Sequence, residues 1–596
     1  MLRLLASTLA ALALLSACAT PPSVAPAALT PNPNLHLQGL PPIPASLADE
    51  VARYNDFRGH GFVAWHPTLR EMLVSHRKAG GSTTQLWRLK APLAPPEPVT
   101  QLPEPISNAS YEPRDGRYIV NARSSGGDEA YQLWRLDLDG GRHERLTDPA
   151  QRHSAQGWLH GPAQPTSRLI VASVPLDRTA QGGTRERIET QLSVLDPLAP
   201  QGREVIATLP GAGWHVADVA PDEKTLALGR YISATRSEVW LFDLATRQRT
   251  KLLPRPDAPP SAWPGATFRR EGAGLLVGSD AAGEFREAVA VGLDGAVQKR
   301  VTAHIPWDVS SLDASRDGRL LALQANEDGS DVLRLFDART LAERPRPALP
   351  EGNIGRSAFH PSRPELAFSV ANAQSPGQVY TLDTETGRVE PWTRAESSGA
   401  DTSTFVPQRL VRWKSFDGRT ISGWLSMPPA RHTGRRPVLI NIHGGPEAQA
   451  QSGFLGRWQY AIQELGVAMI QPNVRGSSGY GKTFLDLDNG RRREDSVKDI
   501  GALLDWIAQQ PDLDPNRVVV MGGSYGGYMS LASAANYADR LAGAIDVVGI
   551  SHFVTFLEST ESYRRDLRRV EYGDERDPQM REFLHRISPL TNAHRI

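Results

Sequence analysis

The run Arg517-Val-Val-Val-Met-Gly-Gly-Ser-Tyr-Gly-Gly-Tyr-Met-Ser530 passes from β-branched residues, through a glycine-rich turn with Ser524 at its apex, into a stretch able to form a helix. Gly522 to Gly526 satisfies the pattern G-x-S-x-G. In so tight a strand-to-helix turn the serine takes strained dihedrals, and small flanking residues leave room for close backbone approach. The hydroxyl is lifted into the open at the top of a sheet, beside a helix N-terminus that favours negative charge. In a chain with 52 glycines the pattern alone says little, and its position between a buried-type strand and a helix gives it meaning. Ser524 is therefore expected to be a nucleophile. One oxyanion donor is expected at the backbone N–H of Tyr525, the residue after it.

Outward from this turn the grammar is strand alternating with helix, the signature of a mostly parallel sheet. Pro437–Ile442, Val467–Gln471, Arg517–Met521 and Gly543–Val548 are short, apolar and β-branched, as strands buried on both faces must be. Helices are expected at Trp458–Leu465, Ser496–Gln509 and Tyr525–Tyr537; in the second, Val497, Ile500, Leu503, Leu504 and Ile507 share one face. Residues 405–596 thus read as a doubly wound α/β domain. His443-Gly444-Gly445-Pro446 follows the first of these strands, where a second oxyanion donor belongs.

Residues 50–400 obey a different rule. A strand closing on an apolar pair and then Asp recurs at Gln132–Asp137, Gln191–Asp196, Glu238–Asp243, Val332–Asp337 and Gln378–Asp383, with weaker copies at Gln85–Lys90 and Ala290–Asp294. Successive copies end 47, 59, 47, 51, 43 and 46 residues apart. Each follows another short strand opened by a turn, as in Pro113–Ala122, Pro221–Leu228 and Arg316–Leu323. Short strands, Asp-Gly turns and this period predict seven propeller blades of four strands each. The recurring aspartates are expected to accept turn hydrogen bonds and to carry no chemistry.

The chain begins with a processing signal. A basic start at Arg3, an apolar run from Leu4 to Leu15 and the tetrad Leu15-Ser-Ala-Cys18 look like a bacterial lipoprotein signal ending in a lipobox. Cys18, the chain's single cysteine, is the expected site of lipid attachment. Residues 19–49, rich in Pro, Ala and Ser, read as a linker, and the mature body is expected in the cell envelope, facing the periplasm, joined to the membrane through the N-terminal lipid anchor only. Sixty-six basic and sixty-six acidic residues cancel, which gives no reason to expect nucleic acid as a partner. No metal cluster, phosphate-binding glycine loop or flavin motif appears, so no cofactor is expected. The sequence leaves the oligomeric state open.

The propeller followed by "NIHGGP", "NVRGSSGYG", "GGSYGGY" and "YGDERDP" resembles the prolyl oligopeptidase family of serine peptidases, near its acylaminoacyl-peptidase and dipeptidyl-peptidase-like branches. The resemblance implies a seven-bladed propeller capping an α/β-hydrolase domain, a chamber between them, and cleavage of short peptides with folded proteins excluded. It places Ser524 as nucleophile and Tyr525 as oxyanion donor. Several relatives carry a tyrosine hydroxyl where this chain has His443, so either the His443 ring or the Gly444 backbone supplies the second donor. Phe553 and Phe556 match positions that wall the pocket for the residue before the scissile bond, and core packing is the other reading of both. The family's dipeptidyl peptidases hold a substrate amino group with paired glutamates; Asp128-Glu129 is read here as a solvated turn.

A serine needs a base, and the base an acid, in the order Ser, Asp or Glu, His. After Ser524 come His552, His585 and His594, with Asp546, Asp566, Asp574 and Asp577, none in a loop after another buried strand. The expectation is that the triad's acid and histidine lie beyond residue 596, and that the chain to Ile596 is an inactive piece of a tethered serine peptidase. A non-catalytic propeller lipoprotein that binds peptides or envelope partners, and an esterase on the same fold, are the alternatives.

Overall fold

A computed structural model describes residues 28–596, except 107, 271–273 and 398. The signal segment, Cys18 and the first part of the linker lie outside the described residues. The end of the linker is not all extended: helix α1 (Ala45–Ala52) forms there and lies against the C-terminal domain. The Tyr54 hydroxyl just after it donates to Glu464, and the Tyr460 hydroxyl donates to Glu50 at 3.2 Å.

Residues 60–391 form seven antiparallel sheets in chain order, six of four strands and one of three. The recurring motif is the third strand of each sheet, and its terminal aspartate caps the next turn. Asp243 accepts from the N–H groups of Ala245 and Thr246, Asp337 from those of Arg339 and Thr340, and Asp383 from those of Glu385 and Thr386. The sixth blade departs from the four-strand expectation. After Asp331–Asp337 only an isolated bridge, Phe336↔Glu343, begins a fourth strand. Pro345, Pro347 and Pro350 follow, and each removes an N–H that a ladder needs.

Adjacent blades are stitched by polar side chains on their inner strands. Gln156 accepts from Val216 N–H at 2.8 Å, Asp218 from Phe268 N–H at 2.8 Å, and Asp313 from Phe359 N–H at 3.2 Å. First and last blades share no strand. The ring closes through Trp65 Nε1–H, which donates to Ala358 O at 3.0 Å, and through Arg70, which bridges Glu365 and Glu390. The chain enters and leaves the propeller side by side, Phe57–Arg58 pairing antiparallel with Glu396–Ser397.

The C-terminal domain holds one six-stranded sheet: β1 (Arg409–Lys414), β2 (Thr420–Ser426), β3 (Arg436–Ile442), β4 (Ala468–Asn473), β5 (Leu513–Gly523) and β6 (Gly543–Val547). Its order is β1-β2-β4-β3-β5-β6, with β3, β4, β5 and β6 mutually parallel and β2 antiparallel to both of its neighbours, β1 and β4. Helices α2 (Trp458–Gln463), α3 (Arg493–Ala508) and α4 (Tyr525–Asn536) fall where periodicity put them. The α3 face Val497, Ile500, Leu503, Leu504 and Ile507 is buried against β5 and α4. Three further helices, α5 (Phe553–Ser559), α6 (Ser562–Tyr572) and α7 (Pro578–Ile587), follow β6.

Candidate active site

The turn between β5 and α4 is as strained as its sequence demands. Ser524 has φ 57° and ψ −119°, and its N–H donates to Val547 O on β6 at 2.9 Å. A Cβ at Gly522 would sit 2.3 Å from Gly526 O, and one at Gly526 would sit 2.2 Å from Ile442 O. Only glycine fits either place, so the elbow packs against the end of β3. Beyond β3 the loop from His443 to Pro446 runs beside the serine: a Cβ on Gly444 would stand 3.4 Å from Ser524 Cβ and 4.0 Å from its Oγ.

A buried polar block holds the elbow from below. The Tyr525 hydroxyl lies 2.9 Å from Ser496 Oγ and donates to Asp488 Oδ2 at 3.1 Å. Arg493 donates to the same carboxylate at 2.5 Å and to Glu571 O at 3.0 Å. Burial pushes Asp488 up to about 6, against the pull of the Arg493 charge. Burial likewise raises Glu571. Removing one partner of so enclosed an ion pair costs about 3–5 kcal/mol. As the first residue of α4, Tyr525 has no carbonyl four residues back for its N–H, so that donor is free of the helix ladder.

His443 is committed within its own loop. Its Nδ1 lies 2.7 Å from Gly444 O and its Nε2 2.8 Å from Ser477 Oγ, and desolvation lowers its pKa. Both ring nitrogens are engaged, which leaves Gly444 as the part of this loop turned toward Ser524. The Tyr572 hydroxyl donates to Gly445 O at 3.1 Å and ties the loop to α6.

Ser524 opens into a cavity of about 230 Å³ that it lines with Gly445, Ile550, Phe556 and Tyr572. Of the two phenylalanines picked from the sequence, Phe556 lines the cavity. Phe553 does not; it is fully buried, edge-on to Tyr528 at 4.7 Å between centroids. The opposite wall comes from the propeller: Asp128, Glu129 and Leu176. Asp128-Glu129 is thus more than a solvated turn. Asp128 does accept the turn N–H groups of Ser125 and Ala130, but Glu129, at φ 52°, pairs with Arg564 of α6 across the domain gap. Nothing local in the sequence marks this, because the partner is 435 residues away. Arg564, Arg568 and Tyr572 of α6 also line the cavity, at the i, i+4, i+8 spacing of one helical face.

The remaining titratable candidates lie elsewhere. His552 Nε2 and His585 Nδ1 are 3.0 Å apart, away from the cavity lining. Asp566 pairs with Arg569, Asp574 with Arg576, and Asp577 caps α7 through Met580 N–H. Asp546 sits on β6 opposite Gly522. Among the described residues, no histidine lines the cavity of Ser524.

The sequence profile of the prolyl oligopeptidase family matches residues 455–596, the stretch that contains the elbow and helices α2 to α7. Over those residues the chain is similar to the prolyl oligopeptidase family. Dipeptidyl aminopeptidase BIII of Pseudoxanthomonas mexicana is 26% identical over 538 residues, covering 82% of this chain and 70% of that protein. Dipeptidyl-peptidase 5 of Porphyromonas gingivalis is 24% identical over 31% of this chain and 28% of its own length. The acylamino-acid-releasing enzyme of Rattus norvegicus is 27% identical over 26% of this chain and 21% of its own. Among solved structures, a puromycin-hydrolysing peptidase of Mycobacterium tuberculosis superposes with a TM-score of 0.76 at 19% identity, covering 92% of this chain and 85% of that one. A prolyl endopeptidase superposes at 0.77 with 15% identity, covering 91% and 80%. These last two likenesses are of fold. The prolyl oligopeptidase family and the relatives by sequence are serine peptidases, and the seven-bladed propeller with a hydrolase domain is their architecture.

Proposed function

We propose that this protein hydrolyses short peptides through an acyl-enzyme at Ser524, with the propeller restricting what reaches it. The observation that carries the reading is the cavity of about 230 Å³ between the two domains, with Ser524 on one wall and propeller residues on the other. In this reading the N–H groups of Tyr525 and Gly444 hold the oxyanion, and Phe556 and Tyr572 receive the side chain before the scissile bond. A volume of that size admits about two residues of extended chain and no folded domain. The nucleophile requires a base. The outer edge of β6 exposes Ile545, Val547 and Val548, the last at 86%, and this reading takes the histidine and its acid from a segment paired with that edge.

A second reading narrows the first. Asp128 and Glu129 on the propeller wall offer carboxylates to a substrate ammonium group, which favours removal of short N-terminal fragments; two of the relatives are named dipeptidyl aminopeptidase and dipeptidyl-peptidase. Labelling by a fluorophosphonate probe tests the main claim in protein expressed from its complete reading frame. Modification of Ser524, abolished by Ser524→Ala, is expected. An unlabelled Ser524 overturns the peptidase and leaves a peptide-binding lipoprotein; labelling with ester turnover and no peptide turnover leaves an esterase.

A further inference from the structure

We propose that the loop from Ala28 to Pro44 is a membrane-docking surface that lies on the bilayer holding the acyl chains of Cys18. The inference rests on Cys18 being lipidated, and adds a second, non-covalent contact to that anchor.

Every residue from 28 to 43 is exposed. Leu29, Leu35, Leu37, Leu40 and Ile43, with Leu47 on α1, leave 38 to 64% of their surface in water. Six such side chains, all within one short segment, together present on the order of 500 Å² of apolar surface, far more than singly scattered surface residues would. The loop is shaped: Leu29 N–H donates to Ile43 O at 2.8 Å, Ala28 bridges Pro44, and Leu35 N–H closes a turn on Asn32 O at 2.9 Å. Pro31, Pro33, Pro41, Pro42 and Pro44 fix five of its φ angles, so little freedom remains to be lost on docking.

Two features identify the occupant as lipid. First, no Asp, Glu, Lys or Arg occurs between Arg3 and Asp49, in a chain that is 22% charged, and His36 is the segment's one titratable side chain from Ala28 to Ala48. Entering the headgroup region would desolvate no ion. Second, Leu29 lies 11 residues along the chain from Cys18. Fully extended they reach about 40 Å. An acylated Cys18 would hold the loop within that distance of the headgroups, at an effective concentration around the millimolar range, where a weak apolar affinity suffices. Because α1 is bound to the C-terminal domain through Tyr54 and Tyr460, docking would turn the hydrolase domain toward the membrane.

The test uses the unacylated chain from Ala19 onward, which keeps every described residue, with vesicles of phosphatidylethanolamine and phosphatidylglycerol. The chain is expected to float with the vesicles in high salt, and the combined variant Leu35→Ser, Leu37→Ser, Leu40→Ser, Ile43→Ser to partition at least tenfold less. Equal partitioning of the two overturns the proposal. So does a self-association in sedimentation that the variant loses while neither form binds vesicles. Matched thermal melts confirm the variant's fold; should they differ, Leu40→Ser alone, at the most exposed position, carries the same comparison with a smaller expected loss. Mass analysis of native Cys18 separates the two claims: an unmodified cysteine with vesicle binding intact overturns the anchor and supports the surface, and an acylated cysteine without such binding does the reverse.

Discussion

Glu129 of the propeller and Arg564 of helix α6 meet with 2.5 Å between Oε2 and Nη1, and their contact forms one wall of the cavity into which Ser524 opens. Glu129 sits at φ 52° in a turn held from within its own blade by Tyr131 N–H, which donates to Glu129 O at 2.9 Å, and the arginine reaches its side chain from the other domain. Glu129→Gln and Asp128→Asn together are expected to weaken binding of an unblocked tripeptide to the Ser524→Ala protein tenfold or more. Binding of the N-acetylated peptide is expected to change less than twofold. Calorimetry on both peptides checks this, and equal losses would refer the pair to domain contact alone.

The elbow glycines are required by sterics. Gly526→Ala, with its Cβ 2.2 Å from Ile442 O, is expected to cost about 3 kcal/mol or more. Gly543→Ala, where nothing lies within 4 Å, is expected to change stability by less than about 0.5 kcal/mol. Thermal melts of the two variants beside the parent give the comparison.

Asp313 ties the sixth blade to the seventh, and burial pushes its pKa up to about 6 from 3.8. The folded state therefore binds more protons than the unfolded state between those values, and stability falls as pH rises through that window. Asp313→Asn keeps an acceptor for Phe359 N–H and removes the charge. Above pH 6 the variant is expected to be more stable by on the order of 1–2 kcal/mol. Near pH 4 the two should coincide. Denaturant melts at both pH values decide it; a parallel offset at both would contradict this account.

Asp177 of the third blade reaches across to the start of α6, where its carboxylate accepts from Ser562 N–H at 2.8 Å and Ser562 Oγ–H at 2.9 Å. Asp177→Ala is expected to raise amide exchange at Ser562 and Tyr563 by tenfold or more while leaving β3 and β5 protected. It should also speed labelling of Ser524 by bulky phosphonates more than by small ones. Unchanged exchange would mean that the helix start is held by other contacts.

Much of this architecture could be read from local pattern. The seven blades came from a period, and α3 from five apolar residues on one face, because periodicity reports burial directly. Ser524 was legible for the same reason: its strain, its glycines and its flanking strand are neighbours in the chain. Glu129, Asp177 and Arg564 were not, since their meaning lies in contacts 385 to 435 residues long. The missing fourth strand of blade six was written in three prolines, yet a regular repeat invites the eye to complete it. Phe553 and Phe556 looked alike in sequence, and only the rotation of α5 sends one to the core and the other to the cavity.

The paired crossing at Phe57–Arg58 and Glu396–Ser397 makes the propeller a cassette. Both of its ends emerge as adjacent strands of one short ribbon, so the whole ring is an insertion in a hydrolase domain whose first helix, α1, precedes it. A tight two-residue turn could bridge the cut, which would let the unguarded hydrolase be prepared and its appetite for large substrates compared with that of the parent.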